Sequence, residues 1–321
     1  MTNKVSRRAF GAGVLATGLI GKAASSFAQG EPKRGGTLVA TWGGGEPQAC
    51  YVPAGGGSSP TFSSSKLFER LGNRRMDGVF DGELAEAWKP AADFKSYTIK
   101  IRKGVKFHDG KDMTVDDVVY SIDEIWKKYA AGSALTDFAG VEAPDADTVV
   151  VKFNKPVPEF FFSSLLCGSV NYIVPKHVYA GSDPVTNPAN NAPIATGPWK
   201  FKEWVRGSHF EYVKNDAYWR KDMPYMDRLI IRYVRDPAGR AAAMEAGDIH
   251  IGVFNPVAPP DIKRLSATGK FVATPKGYEE SVWSSTLECN MRNPIFAKRE
   301  VRQAMFHAID RGFIAKTVYY G

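Results

Sequence analysis

The stretch YTIKIRKGVKFHDGKDMTVDDVVYSIDEIW, Tyr97–Trp126, reads as strand, turn and helix in direct succession. Tyr97, Ile99 and Ile101 alternate with polar residues, the period-two pattern of a half-buried strand. Phe107-His108-Asp109-Gly110-Lys111 has the composition of a tight turn, with Gly110 supplying the permissive backbone. Thr114 stands where an N-cap belongs, and Asp117 follows at capping-box spacing. Asp116 and Asp117 lie in the first helical turn, where the helix dipole favours negative charge. Val115, Val118, Val119, Ile122, Ile125 and Trp126 then recur on one apolar face, with the acids predicted on the other. His108, Asp109, Asp112, Asp116 and Asp117 therefore have structural work. Neither H-E-x-x-H nor an EF-hand spacing is present among them, so the expectation is a turn and a capped helix without a metal.

Working outward, strands and helices alternate. GTLVATW (36–42) is a β-branched strand running into Gly43-Gly44-Gly45, and AGGGSSP (54–60) is a second Gly-rich loop. Neither loop has phosphate-binding spacing, but glycines at strand ends let a ligand approach the backbone closely. DTVVVKF (147–153) predicts a strand, and SVNYIVP (169–175) a short buried one. Residues 180–198 read as a loop ending in Thr196-Gly197-Pro198-Trp199. WKFKEW and HFEYVKN flank Arg206-Gly207-Ser208, a hairpin signal. LIIRYVR is a strand; Asp236 caps a helix that has Pro237 first and Gly247 as its stop, and DIHIGVF follows as another strand. The alternation defines an α/β protein.

Half of the net charge of +8 sits in residues 1–28, where Lys4, Arg7, Arg8 and Lys22 face no acid. The other charges are scattered in both signs with no basic stripe, which argues against a nucleic-acid partner. Ser6-Arg7-Arg8-Ala9-Phe10, a Gly/Ala-rich apolar run and Ser26-Phe27-Ala28 together predict a signal peptide of the twin-arginine type and a periplasmic destination. Cys50, Cys167 and Cys289 are far apart without a C-x-x-C, so free cysteines are expected, one disulfide remaining open. His108, His177, His209, His250 and His307 have no ligand or base at a useful spacing, and no G-x-S-x-G or S-x-x-K motif occurs. An exported aromatic-rich chain without a catalytic motif points to binding. The rival from another class is a secreted hydrolase with a non-local active site.

Four segments resemble the bacterial extracellular solute-binding proteins of family 5: Leu84–Ser121, Ala195–Trp219, Arg235–Ile251 and Asn293–Gly321. Met113 stands where the family usually has Pro. The resemblance implies an α/β periplasmic-binding-protein-like fold of two lobes, in the large class with an extra subdomain. It implies residues 1–28 as leader, 29–285 as lobe one with an inserted subdomain at about 62–190, and 286–321 as the crossover and the start of lobe two. It implies a receptor of an ABC importer, not an enzyme and without a cofactor, delivering a di- or oligopeptide-like solute to the permease and monomeric at full length. Nickel, haem, sugar or opine capture are the alternatives within the family. The loops carrying Trp42, Gly44, Gly45, Gly57 and Ser58 would edge the cleft, and Tyr278, Trp283 and Ser284 on a crossing segment would face the ligand. Because the chain stops within the resemblance to lobe two, the expectation is a truncated gene, a fragment or a partner chain. Residues 29–321 alone would then bind peptides no tighter than millimolar, and a non-functional product is a further alternative.

Overall fold

The strand of the opening stretch lies inside a four-stranded antiparallel sheet in a computed structural model, which describes residues 32–53, 58–130, 135–274 and 286–318. The side chains of Ser58 and Ala130 are outside that description. From Arg34 on, the described chain is one compact unit; of the unit before it, only Pro32 and Lys33 are described, without regular structure.

Strand β1 (Thr37–Trp42) is followed by helix α1 (Ser58–Ser64) and the hairpin β2 (Gly72–Arg74) and β3 (Phe80–Gly82). The four-stranded sheet has the order β4 (Ala85–Pro90), β5 (Ser96–Ile101), β7 (Thr148–Phe153), β6 (Phe138–Asp145). Tyr97, Ile99 and Ile101 on β5 are buried, as their alternation requires, and Tyr97 stacks on Phe162 at 3.8 Å. Helix α2 (Val115–Tyr120) covers this sheet and continues as a π-helix over Ser121–Ala130. Ile122, Ile125 and Trp126 are buried, and the Trp126 indole N–H donates to Tyr172 O at 2.9 Å.

Asp117 departs from the amphipathic expectation, because it is buried and not on the solvent side. Its Oδ2 accepts from Thr114 N–H (2.8 Å) and from the Thr114 hydroxyl (3.1 Å), while its Oδ1 accepts from Lys176 N–H at 2.8 Å. Its own N–H is held by Thr114 O at 3.1 Å, so the capping box closes mainly through the Asp117 carboxylate. One side chain thus caps its own helix and docks the start of α4 (Lys176–Tyr179), reached through α3 (Glu159–Leu166).

The second sheet has the order β11 (Ile251–Val253), β1, β10 (Arg228–Arg232), β9 (His209–Lys214), β8 (Trp199–Val205). Strand β1 runs parallel to both neighbours, while β10, β9 and β8 are antiparallel in turn. The predicted 206–208 hairpin joins β8 to β9, with Gly207 at φ +75°. Asp236 Oδ2 accepts from Gly239 N–H at 2.8 Å to start α5 (Pro237–Ala246), and Gly247 ends it at φ +84°. SVNYIVP is buried from Asn171 to Pro175 but forms no strand, only a lone bridge between Tyr172 and Arg70. Its N–H groups go elsewhere, Ile173 to Glu69 O and Val174 to Ser121 Oγ, so no partner strand can add. Cys50, Cys167 and Cys289 are free.

Helix α6 (Pro259–Ala267) packs on α5. Helices α7 (Pro294–Ala297), α8 (Arg299–Ala308) and α9 (Arg311–Thr317) bury none of their residues, and Phe306, Phe313 and Ile314 are exposed on them. No helix of the described residues is long and apolar enough to cross a membrane.

Candidate functional site

Ligands of open α/β sheets sit beyond the carboxyl ends of the parallel strands. Here that edge is where β1 and β11 end, and an aromatic column closes it. Trp42, the last residue of β1, stacks between Phe62 of α1 and Phe254, with centroids 4.5 Å away on each side. Its indole N–H donates to Ser59 Oγ at 3.1 Å, and the Ser59 hydroxyl donates to Gly44 O at 2.9 Å. The first glycine loop is thereby tied to the start of α1, where the second loop ends.

Gly43 N–H donates to Val253 O at 3.1 Å, and a Cβ on Gly43 would lie 2.0 Å from Phe254 O. Phe254 and Asn255 follow with φ +58° and +52°, left-handed values that bulky L-residues rarely adopt. Strain of this kind persists where the surrounding structure demands it, and it clusters at ligand sites. Glu46 anchors the far end of the loop: it accepts from Trp204 Nε1 at 2.8 Å and from Gly207 N–H at 3.0 Å. Arg206 stacks its guanidinium on Trp204 at 3.3 Å and donates to Gln48 O at 3.0 Å.

Of the residues singled out from sequence, Trp42 and Gly44 meet at this edge, and Gly45 turns the loop at φ +85°. Trp42 is only 7% exposed, so its ring organises the edge more than it presents a surface. Ser58 opens α1. Gly57, Tyr278, Trp283 and Ser284 lie outside the described residues. Phe62, Ser59, Glu46 and Phe254 were not picked out, because nothing local distinguishes a serine or phenylalanine that meets its partner only through the fold.

The polar cluster of the opening stretch is spoken for. Asp109 pairs with His177 (2.7 Å), Asp112 with Lys106 (2.5 Å) and Asp116 with Lys176 (3.4 Å). His108 Nδ1 accepts from Ala195 N–H at 3.2 Å, so its Nε2 carries the proton and donates to Gly197 O at 3.1 Å. Glu203, His209 and Glu211 bring three potential ligand atoms within 4.8 Å of one another, yet Glu211 Oε1 is already held by Lys202 (2.8 Å) and Arg228 (2.7 Å).

Two buried titratable groups act oppositely on stability. Burial, then repulsion from Glu83, pushes the Glu69 carboxyl up to about 7, although Tyr218 and Trp219 donate to it. Between its ordinary 4.5 and 7 the folded protein holds a proton that the unfolded chain has lost, so this stability is full at low pH and falls as pH rises. Burial pushes His108 down to about 4 from 6.5, so its stability is present above 6.5 and is lost as pH falls towards 4. The two slopes oppose each other where they overlap. Glu69→Gln should leave urea-unfolding stability rising with pH through the acid range, and His108→Gln should leave it falling. Parallel pH profiles for the two variants would show that neither group titrates as its surroundings dictate.

The fold is that of the periplasmic-binding-protein class, with the aromatic column at the carboxyl ends of parallel strands. The sequence profile of the bacterial extracellular solute-binding proteins, family 5 Middle, matches residues 80–321, and the chain belongs to that family. It is 31% identical over 300 residues to the oligopeptide-binding protein AppA of Bacillus subtilis, covering 91% of this chain and 53% of AppA. The structure of AppA with a nonapeptide aligns at a TM-score of 0.73 and 28% identity, over 90% of this chain and 56% of that one. Di/tripeptide-binding protein 1 of Pseudomonas aeruginosa is 27% identical over 284 residues, 81% of this chain and 50% of its own. DppA of Helicobacter pylori with the peptide STSA shares the fold at a TM-score of 0.76 and 22% identity, over 90% of this chain and 59% of that one. The chain spans about half the length of the curated relatives it matches, 45% and 53% in two of them.

Proposed function

We propose that this chain forms the first wall of a periplasmic receptor of an ABC importer, which captures a di- or oligopeptide-like solute without chemical turnover. The Trp42 stack, with the pinned Gly43–Gly45 loop at the carboxyl ends of β1 and β11, carries the reading: it is an edge against which an extended ligand can lie. Peptide capture relies on main-chain hydrogen bonds, which exposed loop backbone supplies irrespective of side chain. Residues 29–285 form lobe one, with about 62–190 inserted as a subdomain, and 286–321 lead into a second lobe that closes over the solute by a hinge.

Titration with di- to pentapeptides, read by tryptophan fluorescence, tests this. Saturable binding of peptides is expected, because the exposed backbone along this edge can bond to a peptide main chain. Saturable binding of a nickel–histidine chelate or haem, with no response to any peptide, would place the chain in another branch of the family.

The arginine pair in the leader carries the export route. Arg7→Lys with Arg8→Lys should leave the precursor in the cytoplasm, because a receptor reads that pair. Undiminished periplasmic accumulation of the double variant would assign export to the general secretory route.

A further inference from the structure

Lys66 lies just beyond α1 and is half-buried. Its Nζ sits over the ring of Phe62, 4.4 Å from the centroid, and Phe62 is the ring that stacks on Trp42. Its one hydrogen bond goes to the hydroxyl of Ser65, at 2.9 Å. No carboxylate of the described residues pairs with it, whereas Arg70 has Glu83, Arg228 has Glu211 and Lys176 has Asp116. Arg240, a buried cation without an ion pair among the described residues, is held instead by the carbonyls of Pro256, Val234 and Arg235.

An ammonium in this position is under-compensated. Burial costs it hydration, and an aromatic face and one neutral hydroxyl return only part of that. The same desolvation pulls the Lys66 ammonium down to about 8. Two of its three N–H donors have no acceptor among the described residues. The ring it rests on belongs to the column that closes the carboxyl ends of β1 and β11.

From this we infer that Lys66 is an anion-recognising residue of the solute edge, and that the anion it takes is a carboxylate of the solute. This rests on the receptor reading above and adds to it a named residue and a ligand group. A carboxylate suits the place because it is planar and compact, and a charge-assisted hydrogen bond to it replaces the lost water. Lys66 then makes the receptor prefer solutes with a free acid group over the same solutes without one.

Reductive ¹³C-dimethylation keeps lysine charged and gives each residue an NMR signal, with Lys66→Met identifying the Lys66 signal. Trialanine, its C-terminal amide, acetate and inorganic phosphate are titrated in turn. Trialanine should shift the Lys66 signal saturably, and the amide should bind about tenfold more weakly or worse. In Lys66→Met, which keeps the alkyl packing on Phe62, acid and amide should bind alike, and Lys66→Arg should restore the preference. Equal response of Lys66 to acid and amide, or peptide binding seen in tryptophan fluorescence with the Lys66 signal unmoved, would overturn the assignment. So would a stronger response to phosphate than to acetate, or no response to any carboxylate. If neither peptide binds but acetate moves Lys66 alone among the lysines, the carboxylate site stands and the peptide reading falls.

Discussion

Asp117→Ala should destabilise the protein by about 3 kcal/mol, against about 1 kcal/mol for Thr114→Ala. Both residues belong to the same capping box, but they are not equivalent. Removing the Thr114 hydroxyl deletes one hydrogen bond to a carboxylate that keeps its other partners. Removing the Asp117 carboxylate strands the N–H groups of Thr114 and Lys176 together, at a site where the aspartate is 5% exposed. Buried donors without partners cost more than the bonds themselves contribute. The start of α2 would fray, and α4 would lose the bond that docks its first residue. Urea unfolding with an unchanged slope measures both variants. Equal losses for the two would mean that the carboxylate serves only its own helix.

Gly43→Ala is expected to cost about 3 kcal/mol and to disturb tryptophan emission as well. Its Cβ would stand 2.0 Å from Phe254 O and 2.5 Å from Asn255 O, and backbone atoms cannot swing aside as a flexible side chain can. The loop 43–46 or the turn at 254–255 must move, and either shift opens the Trp42 stack. Gly45 provides the control. There the added methyl meets open space, and the φ of +85° alone is penalised, at roughly 1 kcal/mol. If Gly43→Ala were no worse than Gly45→Ala, the close packing of the two loop backbones would not be what holds the edge together.

Much of the fold was legible because it is local. Tyr97, Ile99 and Ile101 face one way in any strand, and Thr114 with Asp117 marks a helix start wherever that helix packs. Asp236, Pro237 and Gly247 bounded α5 for the same reason, and Arg206-Gly207-Ser208 closed a hairpin. SVNYIVP misled because hydrophobicity predicts burial, not hydrogen-bond partners, and Ser121 and Glu69 had taken the bonds that a neighbouring strand would need. Asp117 misled in a related way, whereas Asp116 is exposed as expected. A carboxylate in a first turn reads as solvated, but α4 arrives over Asp117 and buries it.

The candidate site was legible in its glycines and in Trp42 beside them. Gly43 to Gly45 at the end of β1 signalled a close approach of backbone, which Gly43 makes against Phe254. The partners of Trp42 did not show. Phe62, Trp42 and Phe254 come from three separate stretches and become one column only when β1 and β11 pair in parallel and α1 folds back on them. The sequence by itself determined the α/β alternation, the capped helix, the family and the glycine loops, because periodicity, caps and turns are energies of neighbouring residues. Tertiary structure alone decided that Asp117 is buried, that His108 is neutral and that Lys66 rests on Phe62 without a carboxylate, because burial and charge pairing depend on which distant segments displace the water.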